Sequence, residues 1–139
     1  MKEGKLSKHR AEQIRKQFTT IPYVQFLGVK LDRIEYGLAQ LSLEIVDVLK
    51  RNNGIAHGGA VASLIDTATA FATLSVISAA EQTTTVDLTI NFLRPLSEGK
   101  ATAIARIIRS GRRIAVVTAD VFDNNGTLAA TALSTYIKD

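Results

Sequence analysis

Residues 55–80 read IAHGGAVASLIDTATAFATLSVISAA, and the fold is decided there. Val61, Leu64, Ile65, Ala68, Phe71, Ala72 and Leu74 recur at helical spacing, which predicts a helix over 59–78. Its polar face carries only Ser and Thr apart from one acid, so the helix is apolar nearly all round and must be wrapped by other elements. Asp66 is the only charged side chain between Ile55 and Ala80. An ionised carboxylate in such surroundings is costly unless it has a partner and a task. Gly58 and Gly59 at the helix start leave its first N–H groups bare, as a carbonyl oxygen would need. A stretch of this length also raises a membrane span. Asp66 near its centre would cost about 2.5–3.5 kcal/mol on insertion scales. That cost and the Gly, Ser and Thr positions favour a buried helix in a water-facing fold.

Outward from the helix, the chain alternates. Over 38–45, Ala39, Leu41, Leu43 and Ile45 interleave with Gln40, Ser42 and Glu44, the period of a half-buried strand. Asn52-Asn53-Gly54 is a loop. After the helix, Val86, Leu88, Ile90 and Phe92 alternate with Thr85, Asp87, Thr89 and Asn91 up to Arg94-Pro95. Strands over 99–109, 114–122 and 127–137 follow, with Asn124-Asn125-Gly126 as a hairpin signal. Short turns between them predict an antiparallel meander. Upstream, Thr20-Ile21-Pro22 is a break, and Phe26-Leu27-Gly28-Val29 leads toward a strand. One strand, a long buried helix and four strands make an α+β fold, with about five antiparallel strands covering the helix.

At 139 residues the chain is expected to be one domain over 1–139, with a basic N-terminal helix over 1–20. Apolar residues at 46% and charged residues at 22% are ordinary for a globular chain. The absence of Cys excludes disulfides and thiolate chemistry, and His9 and His57 alone make no multi-His metal site. The net charge of +4 comes partly from Lys2, Lys5, Lys8, His9, Arg10, Arg15 and Lys16, set against Glu3 and Glu12. With no apolar signal core, that segment reads as a solvated amphipathic helix and a cytoplasmic start. It is too short for a helix-turn-helix unit. Arg109, Arg112 and Arg113 gather at a turn that suits a phosphate-rich ligand. No aromatic residues interleave with them as a base-stacking platform needs, so nucleic acid is not expected.

Four stretches together carry a resemblance. They are Asn53-Gly54-Ile55-Ala56-His57-Gly58-Gly59, Ser63-Leu64-Ile65-Asp66, Thr85-Val86-Asp87-Leu88 and Asn91-Phe92-Leu93-Arg94-Pro95. In this order, with the acid nine residues beyond the His, the chain resembles the hotdog-fold acyl-CoA thioesterases of the phenylacetate-pathway group, over residues 22–137. The resemblance implies a long central helix wrapped by an antiparallel sheet of five to six strands. It also implies hydrolysis of an acyl-CoA without metal or organic cofactor, and a homodimer, as a dimer of dimers, with sites at the interface.

Helical rise supports the two-chain site. Asp66 lies eight residues past Gly58, about 12 Å along the axis. A reacting carboxylate must come within roughly 3–3.5 Å of its carbon. A second, antiparallel helix would supply its own Asp66, and a dimer would cover an open sheet edge. By resemblance, the Gly58 N–H holds the thioester oxygen and Asp66 of the other chain acts as nucleophile or general base. Thr85 positions water or the carboxylate, and His57, also expected in the catalytic site, either orients the loop by a hydrogen bond or serves as an acid/base group. The family Asn six residues before the His is replaced by Arg51, so Asn53 or Asn52 would supply the amide. Gly59, Asn52, Arg109, Arg112, Arg113 and Phe71 are the expected substrate-binding residues, with Tyr23 and Phe26 further candidates for the acyl pocket. A non-catalytic acyl-CoA sensor and a hydratase with a His base are the other hotdog readings. The buried acid argues against the first, and the acid on the same helix as His-Gly-Gly argues against the second.

Overall fold

The structure, a computed structural model, describes residues 4–139, so Lys2 and Glu3 of the basic segment lie outside the described residues. Helix α1 (Lys8–Phe18) begins at Ser7, whose side chain accepts the Arg10 N–H, and ends with Arg15 and Lys16 in its last turn, where cations suit the dipole. It buries Ile14 and Phe18, four residues apart on one face. The break expected at Thr20-Ile21-Pro22 opens a short helix instead, α2 (Pro22–Leu27). Pro22 is pre-set for a first turn, and Gly28 closes α2 in the left-handed region at φ 80°.

Six strands follow: β1 (Lys30–Glu35), β2 (Leu38–Glu44), β3 (Thr83–Phe92), β4 (Lys100–Ser110), β5 (Ile114–Phe122) and β6 (Leu128–Lys138). Helix α3 (Gly58–Leu74) lies between β2 and β3 in the chain. β1 is the strand toward which Val29 leads. It buries only Ile34, so its own alternation is faint. The spatial order is β1-β2-β4-β5-β6-β3, antiparallel throughout. The meander expected over the last four strands is therefore corrected. β4, β5 and β6 run in sequence, while β3 crosses to the far edge beside β6. α3 also stops earlier than its apolar pattern: Ser75 Oγ bonds the Ala72 carbonyl and accepts the Gly37 N–H, turning the chain out of the helix.

Several of the buried strand residues are alanines, set among larger ones such as Leu41, Val117 and Val121. Ala39 pairs with Ala105, Ala105 with Ala119, and Ala119 with Ala132, giving a row of four alanines across β2, β4, β5 and β6. All four are buried, as are Leu64, Ile65 and Ala68 of α3. Small residues let a helix and a sheet approach closely, which is how one curved sheet encloses a helix that is apolar on most sides. The polar groups of α3 are turned inward on their own backbone. Ser63, Thr67, Thr69 and Thr73 hydroxyls donate to carbonyls four residues back, at 2.7–3.1 Å. This is the hotdog arrangement, a long helix wrapped by an antiparallel sheet. Among the described residues no helix is long and apolar enough to cross a membrane.

Truncating Leu64, which is fully buried against the sheet, to Ala is expected to lower the unfolding free energy by about 2–5 kcal/mol. Gly28→Ala meets no neighbour and carries only the left-handed backbone cost of roughly 1–2 kcal/mol. Urea denaturation of both variants checks the ordering.

Candidate active site

α3 presents two chemically different positions. At its start His57 is the N-cap, and its Nδ1 accepts the Gly59 N–H at 2.8 Å. The next two amides, of Ala60 and Val61, donate to the His57 carbonyl. Among the described residues, the Gly58 N–H is the first-turn donor without a protein acceptor. A Cβ on Gly59 would meet the His57 ring at 2.9 Å, so the cap itself requires that glycine. A Cβ on Gly58 would only touch Phe92, at an ordinary 3.6 Å. Packing within one chain therefore does not demand glycine there. Beside Gly58 opens a cleft of about 310 Å³, walled by Val61, Phe92 and Pro95 and carrying the guanidinium-bearing Arg51 and Arg94.

Eight residues on, Asp66 is half-buried. Its Oδ1 accepts from Thr85 Oγ1 at 2.9 Å and lies 3.1 Å from Tyr136 Oη. Tyr136 Oη is also 2.8 Å from the Asp66 main-chain oxygen and 2.8 Å from Thr69 Oγ1. Oδ2 has no hydrogen-bond partner, and no Lys or Arg pairs with the carboxylate, among the described residues. Thr85 and Tyr136 sit directly opposite each other on β3 and β6. A bulge follows at once: the register slips between Thr85 and Asp87, and Val86 is left exposed. The Tyr136 side chain is 1% exposed. Burial, with the Asp66 charge adding to it, pushes its hydroxyl up to about 12, against the pull of the Thr69 and Thr85 hydroxyls.

A second cavity, of about 420 Å³, lies one helical turn beyond Asp66. Ala70, Phe71 and Leu74 of α3 line it, with Thr83 and, from α1, Gln17 and Arg10. Phe71 itself is buried, edge-on to Phe18 with ring centroids 5.2 Å apart.

The other expected site residues are dispersed. Asn52 and Asn53 lie exposed on the short turn before the cleft, Asn53 with φ 68°. Tyr23 and Phe26 are exposed, and Tyr23 Oη bonds Ser63 Oγ at 2.8 Å. Arg109, Arg112 and Arg113 are exposed at the β4–β5 end, in the sheet row of Ser110, Ala115, Tyr136 and Thr85. The cleft sits at the opposite end, in the row of Phe92, Ala130 and Val121. Six residues of β5 and of β6 separate the two rows, roughly 20 Å. The basic side chains at the Gly58 cleft of the same chain are instead Arg51 and Arg94, which the charge clustering had passed over. Tyr136 was also missed. An aromatic in a strand reads as core, and only the β3–β6 register reveals what its hydroxyl meets. Among the described residues no three His, Cys, Asp or Glu side chains gather to hold a metal ion.

Residues 53–130 match the family model described as "Thioesterase superfamily". A protein of Saccharolobus solfataricus provisionally named an esterase is 36% identical over 112 residues, covering 81% of this chain and 74% of that one. The medium/long-chain acyl-CoA thioesterase YigI of Escherichia coli is 26% identical over 132 residues, covering 84% and 85%. Among solved structures, a thioesterase family protein from Silicibacter pomeroyi superposes with a TM-score of 0.87 at 27% identity, over 93% of this chain and 97% of that one. The PaaI protein of the E. coli phenylacetic acid degradation operon superposes with 0.87 at 22% identity, over 94% of each, a likeness of fold.

Because the folded state holds the Tyr136 proton more tightly than the unfolded chain, its contribution to stability is complete below pH 10 and is lost as pH rises toward 12. Wild type is expected to lose about 2–3 kcal/mol across that window beyond the loss in Tyr136→Phe. Chemical denaturation of both proteins at stepped alkaline pH checks it.

Proposed function

The chain belongs to the thioesterase superfamily as a thioester hydrolase, and from that premise we propose that it cleaves acyl-CoA to the free acid and coenzyme A. We place its reacting centre between two chains. The observation that carries this reading is the Asp66 carboxylate: on an otherwise apolar helix, without a cationic partner among the described residues, held through Oδ1 with Oδ2 left over. A purely structural carboxylate would have its oxygens satisfied by backbone or by a cation.

In the proposed site the Gly58 N–H of one chain donates a hydrogen bond to the thioester oxygen, and the dipole of α3 adds partial positive charge where negative charge develops. Asp66 of the other chain either attacks the carbonyl carbon or takes a proton from the attacking water. The thiolate of coenzyme A departs and is protonated, and one water is consumed per turnover. Eight helical residues, about 12 Å, keep Asp66 away from the Gly58 of its own chain. The open edge at β3 supports pairing of two chains. Val86, Phe92 and Leu93 are exposed there, and Phe92 flanks Gly58.

Acyl-CoA as the substrate class is supported by the name of the YigI relative and by the chemistry of the cleft. Arg51 and Arg94 are suited to phosphate, and the turn at Arg109, Arg112 and Arg113 reaches a Gly58 cleft only from another chain. The cavity beyond Asp66, with Phe71 in its wall, is the proposed acyl chamber for an aromatic or medium-chain group.

The test is thiol release from phenylacetyl-, benzoyl-, hexanoyl- and palmitoyl-CoA. Wild type is expected to hydrolyse at least one, and Asp66→Asn to lose about 10²-fold or more in kcat while keeping its fold and its oligomeric state. Retention of most activity by Asp66→Asn overturns the role of this carboxylate. A monomeric wild type that turns over at full rate overturns the two-chain site.

A further inference from the structure

Thr69, Thr85 and Tyr136 converge on Asp66 from three elements, and the contacts of Tyr136 exceed what its buried phenol requires. A buried phenol requires one acceptor, and the Asp66 main-chain oxygen at 2.8 Å is sufficient. The second acceptor, the carboxylate Oδ1 at 3.1 Å, is surplus to that need. Besides Thr69 Oγ1, that proton faces two oxygens of Asp66, and the choice between those two depends on charge. An ionised carboxylate is the stronger acceptor, while a neutral carboxyl is weaker than a helix carbonyl.

We propose that Tyr136 is a positioning residue for Asp66. Its hydroxyl follows the charge on the carboxylate, donating to Oδ1 when Asp66 is ionised and to the Asp66 main-chain oxygen when it is neutral. This rests on the acyl-CoA hydrolase reading above. The hydroxyl is a dependable donor, since burial keeps it protonated well past neutral pH. When its proton turns to Oδ1, Thr69 Oγ1, 3.1 Å from the Asp66 main-chain oxygen, can donate there in its place. Neither state strands a buried group.

The geometry also sets which oxygen works. Thr85 and Tyr136, facing each other across β3 and β6, both approach Oδ1. Two donors on one oxygen restrict rotation of the carboxylate about its last bond and leave Oδ2 without a protein donor among the described residues. The bulge after Thr85 holds that strand residue in place at the edge of the sheet.

Other titratable groups on the elements around α3 are engaged or directed elsewhere. Tyr23 of α2 bonds Ser63, and Arg10 of α1 bonds the Leu74 carbonyl. Lys138 of β6 is held by Ser110 and the Gly111 carbonyl, and Asp120 of β5 accepts from Thr131. Asp87 of β3 is exposed, and the charged side chains of β1, β2 and β4 are all exposed. Only Tyr136 among them touches the carboxylate.

The experiment compares wild type with Tyr136→Phe, each labelled with 13C at the Asp side-chain carboxyl, the Asp66 resonance being identified by its loss in Asp66→Asn. With the hydroxyl gone, the Asp66 titration midpoint is expected to move to higher pH, and the acid limb of the kcat/KM profile to move with it. Losing one hydrogen bond to a charged group is expected to lower kcat by about tenfold, with KM changed less than about twofold. An unchanged midpoint overturns the proposal, whatever the activity. A shifted midpoint with an unchanged kcat also overturns it, leaving Tyr136 a structural neighbour. A wild type that hydrolyses no member of the acyl-CoA panel retires the hydrolase reading separately, and the titration then decides on its own whether Tyr136 holds this carboxylate. If Tyr136→Phe fails to fold, Thr69→Val takes its place. It leaves the phenol with both acceptors but removes the donor that releases it, so a smaller shift in the same direction is expected and none overturns the proposal.

Discussion

Enclosing α3 is the constraint from which the rest of the structure follows. A 17-residue helix that buries Val61, Leu64, Ile65, Ala68, Phe71, Ala72 and Leu74 has almost no face to offer to water. One flat sheet covers a single stripe of a helix, so the sheet must curve, and its inner residues must be small enough for it to close in. Ala39, Ala105, Ala119 and Ala132 meet that need across four adjacent strands. The hydroxyls on α3 turn back on their own carbonyls, so the enclosed helix carries few unmet polar groups. Asp66 is the exception, and its surroundings are shaped by that exception.

Burial of the helix and the chemistry on it are linked through strand placement. β3 leaves the meander and takes the edge next to β6, which puts Thr85 and Tyr136 opposite each other beneath Asp66. The same displacement leaves β3 with one unpaired side, close to Gly58 and lined by exposed apolar residues. One topological choice thus holds the carboxylate within a chain and leaves an edge through which a second chain can approach. The hydrolysis proposed here needs both.

Much of the site was legible along the chain. His57, Gly58, Gly59 and Asp66 fall on one helix, where spacing converts directly to distance, and the 12 Å between the donor and the acid follows from rise alone. The pairing of Thr85 with Asp66 was foreshadowed only by resemblance, since 19 residues of chain separate the two. Tyr136 lies 70 residues from Asp66 and carries no local signal of its contact. The Arg cluster at 109–113 was conspicuous in composition, yet the fold sets it at the end of the sheet away from the cleft, where Arg51 and Arg94 stand instead.

Secondary structure divides in the same way. The sequence by itself determined the buried helix, the strand pattern of its second half, and the presence of a lone acid beside bare helix amides, because hydrophobic period and charge are local properties. It understated α2 and β1, whose short spans depend on Pro22, Gly28 and the packing of one Ile34. Only the tertiary structure decided the strand order, the early end of α3 at Ser75, and the convergence of Thr85 and Tyr136 on a single carboxylate oxygen. Those depend on register between strands distant in sequence, and a one-residue slip in register would turn the Tyr136 side chain to the opposite face of the sheet.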